Sequence, residues 1–72
     1  MAFQTVLDRT PMTYLREVRL DRVHDELRAA DADVTTVAGV ARAWGFGHAG
    51  RFSAAYAERF GEFPKETLRR SR

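Results

Sequence analysis

The chain contains no cysteine, so neither disulfides nor thiolate metal sites staple it, and its core must hold by helix packing alone. No apolar run approaches the roughly 20 residues that a membrane-spanning helix needs. No signal peptide is visible at Met1, and the expected location is the cytoplasm, with no membrane partner. Nothing reads as a strand, a repeat or a low-complexity tract. The signatures of catalysis are missing as well: there is no Gly-rich phosphate loop, no nucleophile with a matching base and no metal-ligand spacing. His24 and His48 fall on different elements without companion ligands, so a metal site, a cofactor and an enzymatic function are not expected.

What is present is one small domain of 72 residues, 44% hydrophobic and 31% charged, a composition of helical rather than disordered protein. The net charge of +2 hides an asymmetry. Residues 1–46 carry six Arg against seven acids, whereas residues 47–72 carry five Arg and one Lys against three acids. A basic surplus gathered at one end is the electrostatic pattern of a nucleic-acid binder.

The chain is organised around the stretch from Trp44 to Gly61. Before it, Val37, Val40 and Ala41 recur at helical spacing; after Gly47, Phe52, Ala55, Tyr56 and Phe60 do the same. Two short helices therefore meet at a glycine-rich corner, the outline of a helix-turn-helix. In such a unit the second helix lies in the DNA major groove with its N-terminal half toward the bases. Here that half is small and polar, and the aromatic stripe falls on the other side, where it supplies core together with Trp44 and Phe46.

Upstream, Thr10 caps and Pro11 opens a helix that no Gly or Pro interrupts to about residue 30, since proline at the first helical position forfeits no hydrogen bond. Leu15, Leu20, Val23 and Leu27 trace one face, with Met12, Tyr14 and Val18 alongside, over about five turns or roughly 30 Å. The other face is charged: Arg22 and Glu26 are spaced to pair, and Arg16, Arg19 and Arg22 have two readings, contact with phosphates or with a preceding unit, or a solvated face interleaved with Glu17, Asp21 and Asp25. Asp31-Ala32-Asp33 closes the helix. Thr36 caps a short helix over 37–44, Gly45 supplies a positive φ, a third helix runs over 48–60 to a stop at Gly61, and Pro64 opens a last helix over 64–70. The expected fold is all-α, a small homeodomain-like bundle with a helix-turn-helix preceded by a long helix, its core formed by Phe52 and Tyr56 against Val23, Val37 and Val40.

Val37, Val40-Ala41, Gly45-Phe46, Phe52, Tyr56, Phe60-Gly61 and Pro64 fall in the order and spacing of the signature of the AraC/XylS family of transcription regulators. Thr10-Pro11-Met12-Thr13-Tyr14-Leu15-Arg16 and Arg19-Leu20 resemble that family's linker helix. The resemblance implies a bipartite reader of double-stranded DNA with two helix-turn-helix units. Residues 1–9 would end the first unit's recognition helix, 10–33 would be the linker helix, and 34–72 the second unit with its C-terminal helix. The rest of the first unit and an effector-binding or dimerising domain would then be absent, and the protein would work at the nucleoid.

The candidate DNA-binding residues are His48, Ala49, Gly50, Arg51, Ser53 and Ala54 on the third helix, with Lys65 and Arg69 on the last. Arg51 is the one long donor, able to take guanine bidentately or to clamp a phosphate. His48 has two readings, a phosphate contact or a residue of the helix cap. Gly50 also has two: close approach of the DNA backbone, or a glycine tolerated in the first turn. Where several members carry Gln or Ser early in this helix and Arg near its middle, this chain has Ala49, Gly50 and Ala54, which implies modest base readout. The competing function is a helical protein-interaction module, binding a partner such as an RNA polymerase subunit with little DNA affinity of its own.

Overall fold

The computed structural model describes residues 10–70; the expected remnant of a first recognition helix at 1–9 lies outside them. Four helices follow in order: α1, Pro11–Ala29; α2, Val37–Ala43; α3, Ala49–Phe60; and α4, Pro64–Arg70. No strand occurs among the described residues.

Each helix start has a local cause. Thr10 Oγ1 accepts the Thr13 N–H at 3.1 Å ahead of Pro11, and Thr36 Oγ1 accepts the Gly39 N–H at 3.0 Å. His48 caps α3 with its ring, Nδ1 accepting the Arg51 N–H at 3.3 Å. At α4 the Phe63 N–H donates to Glu66 Oε1 at 2.9 Å, which is half of a capping box.

The ends are equally specific. α1 stops at Ala29 because Asp31 bends the chain away, its side chain accepting the Asp33 N–H at 2.9 Å and its carbonyl accepting from Val34 and Thr35, a turn that competes with helix. α2 closes in a Schellman arrangement: the Gly45 N–H reaches Arg42 O at 3.0 Å and the Phe46 N–H reaches Ala41 O at 2.9 Å, with Gly45 at φ 91°, where a side chain would be strained. Gly61, at φ 77°, ends α3. The corner between α2 and α3 is thus set by hydrogen bonds, and it turns Phe46 inward against Phe52, ring centroids 5.0 Å apart.

The core joins Leu20, Val23 and Leu27 of α1 to Val40 and Ala41 of α2, Phe52 and Tyr56 of α3, and Leu68 of α4. Val37, Phe46 and Phe60 pack on its margin, half-buried. The apolar stripe of α1 is therefore shorter than its periodicity suggests. Only the C-terminal half of the helix is covered, and Met12, Tyr14 and Leu15 are exposed, Met12 by 74%. Trp44 also departs from its expected place in the core: it is 37% exposed and donates its indole N–H to Glu26 Oε1 at 2.9 Å. An indole with a polar N–H settles at a margin where that group finds an acceptor, and it engages the carboxylate expected to pair with Arg22.

Candidate nucleic-acid interface

Burial of one face decides what α3 offers to solvent. Phe52 and Tyr56, one turn apart, are sunk in the core, so Arg51, Ala54 and Glu58 face outward. His48, Ala49 and Gly50 are exposed as well. Ser53 is half-buried and borders the groove between α2 and α3 with Arg42, Ala38 and Ala49. Of these, His48, Ala49, Gly50, Arg51, Ser53 and Ala54 lie at the cap and in the N-terminal half of α3. Lys65 and Arg69 are exposed at opposite ends of α4, and the cleft beside Arg51 includes neither.

His48 is the N-cap rather than the first residue of α3. Because Nδ1 accepts a backbone N–H, the neutral ring carries its proton on Nε2, leaving a donor free to meet an anion. Both readings of His48 are compatible with this geometry. Gly50 has no internal justification: a Cβ built there would meet only the His48 ring, at 3.7 Å, which is ordinary contact.

The arginines divide into paired and unpaired. Arg59, in the last turn of α3, donates from Nε and Nη2 to the two carboxylate oxygens of Asp21 at 2.8 and 3.1 Å, and its Nη1 lies 3.9 Å from Glu17. The bidentate bond holds the Asp21 carboxyl below its ordinary value of 3.8, with burial opposing the shift. Arg70 reaches Glu62 Oε1 at 2.7 Å. Arg59 and Arg70, two of the six cations in residues 47–72, are thereby paired within the fold, and among the described residues Arg51, Lys65 and Arg69 enter no ion pair.

Two arginines of α1, which the sequence leaves between phosphate contact and a solvated face, converge on this site. Arg16 of α1 lines a cleft with Gly45, Gly47, His48, Arg51 and Phe52, and the Arg19 guanidinium covers Gly45, Nη1 standing 3.6 Å from the position of a Cβ there. Their spacing of three on a helix puts them on one face, but the sequence alone does not say which element that face meets. Among the described residues no group of three His, Cys, Asp or Glu side chains is placed to hold a metal ion, and no helix is long and apolar enough to cross a membrane.

A family model described as a helix-turn-helix domain matches residues 1–70. The chain is 39% identical over 69 residues to a protein described as the probable thc operon regulatory protein of Rhodococcus erythropolis, covering 96% of this chain and 21% of that one. It is 41% identical over 61 residues to the XylDLEGF operon transcriptional activator 1 of Pseudomonas putida, covering 85% and 18% of the two chains. For the XylDLEGF operon transcriptional activator 2 of the same organism the identity is 39% over 59 residues, covering 82% and 38%. The chain thus spans about a fifth of the length of the first two relatives. No solved structure matches it.

Proposed function

Since the chain belongs to the AraC/XylS family of transcription regulators, as a helix-turn-helix DNA-binding domain, we propose that it acts by inserting α3 into the major groove of duplex DNA. The observation that carries this reading is the split of α3 itself. One face is locked into the core through Phe52 and Tyr56, and the opposite N-terminal face presents an unpaired Arg51 among side chains small enough for close approach. Arg51 supplies the long donor, His48 the Nε2 proton, and Ser53 a short hydroxyl at the groove edge. Ala49, Gly50 and Ala54 let the helix sit deep without adding base contacts. Lys65 and Arg69 lie on α4 for phosphate contacts at the edge of the site.

In the same reading residues 1–9 end the recognition helix of a first unit, α1 is the linker between two units, and 34–72 form the second. The whole regulator then controls an operon, as its relatives' names state of them, working at the nucleoid with an effector-binding or dimerising domain and RNA polymerase as further partners.

The test is charge reversal at the outward face. Arg51→Glu leaves the core and caps untouched, so the variant folds, and its affinity for a mixed-sequence duplex in a fluorescence anisotropy titration is expected to be lost. An unchanged affinity would remove α3 from the DNA contact and favour the protein-interaction reading.

A further inference from the structure

The seam between α1 and α3 treats its arginines in two ways. Toward the end of α3, Arg59 is neutralised by Asp21 and Glu17 across the seam. At the α2–α3 corner, Arg16 and Arg19 from α1 and Arg51 from α3 approach the glycine turn from two sides, all exposed and none, among the described residues, in an ion pair or side-chain hydrogen bond. Among the described residues no carboxylate lines that cleft. Arg16 also borders the neighbouring cleft that holds Glu17 and Glu58, yet pairs with neither. Guanidinium groups brought together with nothing to balance them are unfavourable in the free protein, and that repulsion is relieved by an anion with several acceptor oxygens.

We infer that the cleft between α1 and the 45–47 turn seats one backbone phosphate of the duplex, gripped by Arg16 and Arg51 with Arg19 over Gly45. The inference rests on the proposed entry of α3 into the groove, because that entry brings a phosphate strand past the corner from which Arg51 projects. It extends the DNA contact to α1, a helix outside the helix-turn-helix. Gly45 contributes by adding no side chain in front of the Arg19 guanidinium. The role is positioning: a phosphate contact fixes the register and tilt of α3 and carries no sequence information.

The experiment measures the affinity of the 72-residue chain for a mixed-sequence duplex over a range of NaCl concentrations. Each phosphate neutralised adds about 0.9 to the slope of log K against log salt on B-form DNA. Arg16→Ala is expected to lower that slope by about 0.9, and equally on a duplex of scrambled sequence. Arg16→Lys is expected to keep most of it. Arg22→Ala removes the same charge from α1 outside the cleft and is expected to change the slope by much less. An Arg16→Ala slope equal to that of the parent, or an equal fall in Arg22→Ala, overturns the phosphate seat while leaving the groove reading intact. Failure of the parent chain to bind any duplex overturns both. Arg16 is exposed, and helical circular dichroism verifies that the variants fold.

Discussion

Tyr56 donates its buried hydroxyl to Thr67 Oγ1 at 2.7 Å, so the centre of α3 is bonded to the middle of α4. Thr67 in turn donates to Glu62 Oε2, and the other oxygen of that carboxylate receives Arg70 Nη2 at 2.7 Å. A single polar chain therefore runs from the core to the last turn of the described helix. It gives α4, only seven residues long, a fixed seat that its two buried apolar side chains, Pro64 and Leu68, do not provide alone.

Tyr56→Phe removes the first donor and leaves a buried hydroxyl acceptor without its partner, at a cost of about 1–2 kcal/mol. In a domain of this size that lowers the melting temperature by several degrees. The Tyr56 hydroxyl is raised above its ordinary value of 10.0, chiefly by burial, with Glu62 adding repulsion. A raised folded value means that its contribution is whole below pH 10 and declines as pH rises through the folded value. Urea melts of the two proteins between about pH 8 and about pH 11 are expected to converge at the alkaline end.

Phe52 lies between Phe46 and Tyr56 and is 3% exposed. Truncation to alanine costs about 3–5 kcal/mol, which is comparable with the total stability of a small domain. Phe52→Ala is expected to be largely unfolded by circular dichroism at ambient temperature. A cooperative melt within a few degrees of the parent would contradict the packing described.

The Asp21–Arg59 pair fastens α3 to α1, and its acid response follows from the sign of its shift. Asp21 titrates lower in the fold than in the unfolded chain, so the pair stabilises fully above pH 3.8 and its contribution is lost as pH falls through the folded value. Both side chains are substantially exposed, 35% for Arg59 and 48% for Asp21, so solvent screening holds the effect to about 1 kcal/mol or less. Asp21→Asn is expected to lower stability slightly at about pH 7 and to flatten its decline below about pH 4, as read by urea midpoints along an acid series.

Local chemistry made most of this fold legible before any coordinates. Thr10, Thr36, Gly45, Gly61 and Pro64 act within a few residues of themselves, and each stands at the boundary that its side chain or its φ predicts. Periodicity likewise separated Phe52 and Tyr56 from Arg51. It was less informative where the answer depended on partners from elsewhere in the chain. Met12, Tyr14 and Leu15 share the apolar spacing of Leu20, but α2, α3 and α4 cover only the second half of α1. Trp44 counted as core by composition, whereas a carboxylate eighteen residues away holds it at the margin. For the same reason the sequence could not separate Arg16 and Arg19 from Arg22 on the charged face of α1: the approach of the first two to the corner is a tertiary fact.

The affinity of the 72-residue chain for DNA follows from counting donors. Each good bidentate pair with a base edge contributes about 1–3 kcal/mol of discrimination, and the exposed face of α3 holds one long donor, Arg51. With Arg59 and Arg70 engaged internally, attraction to the duplex comes from the remaining unpaired cations and is largely indifferent to sequence. We expect dissociation constants of order 10⁻⁴–10⁻⁶ M that weaken steeply with salt, the range of non-specific binding. A longer protein carrying a second reading unit on the adjacent groove would gain by effective concentration what neither unit has alone. The check is a titration against the relevant promoter DNA and a scrambled duplex at two salt concentrations. A nanomolar, salt-insensitive preference for the promoter by this chain alone would mean that α3 reads sequence unaided, through contacts its alanines and glycine do not offer.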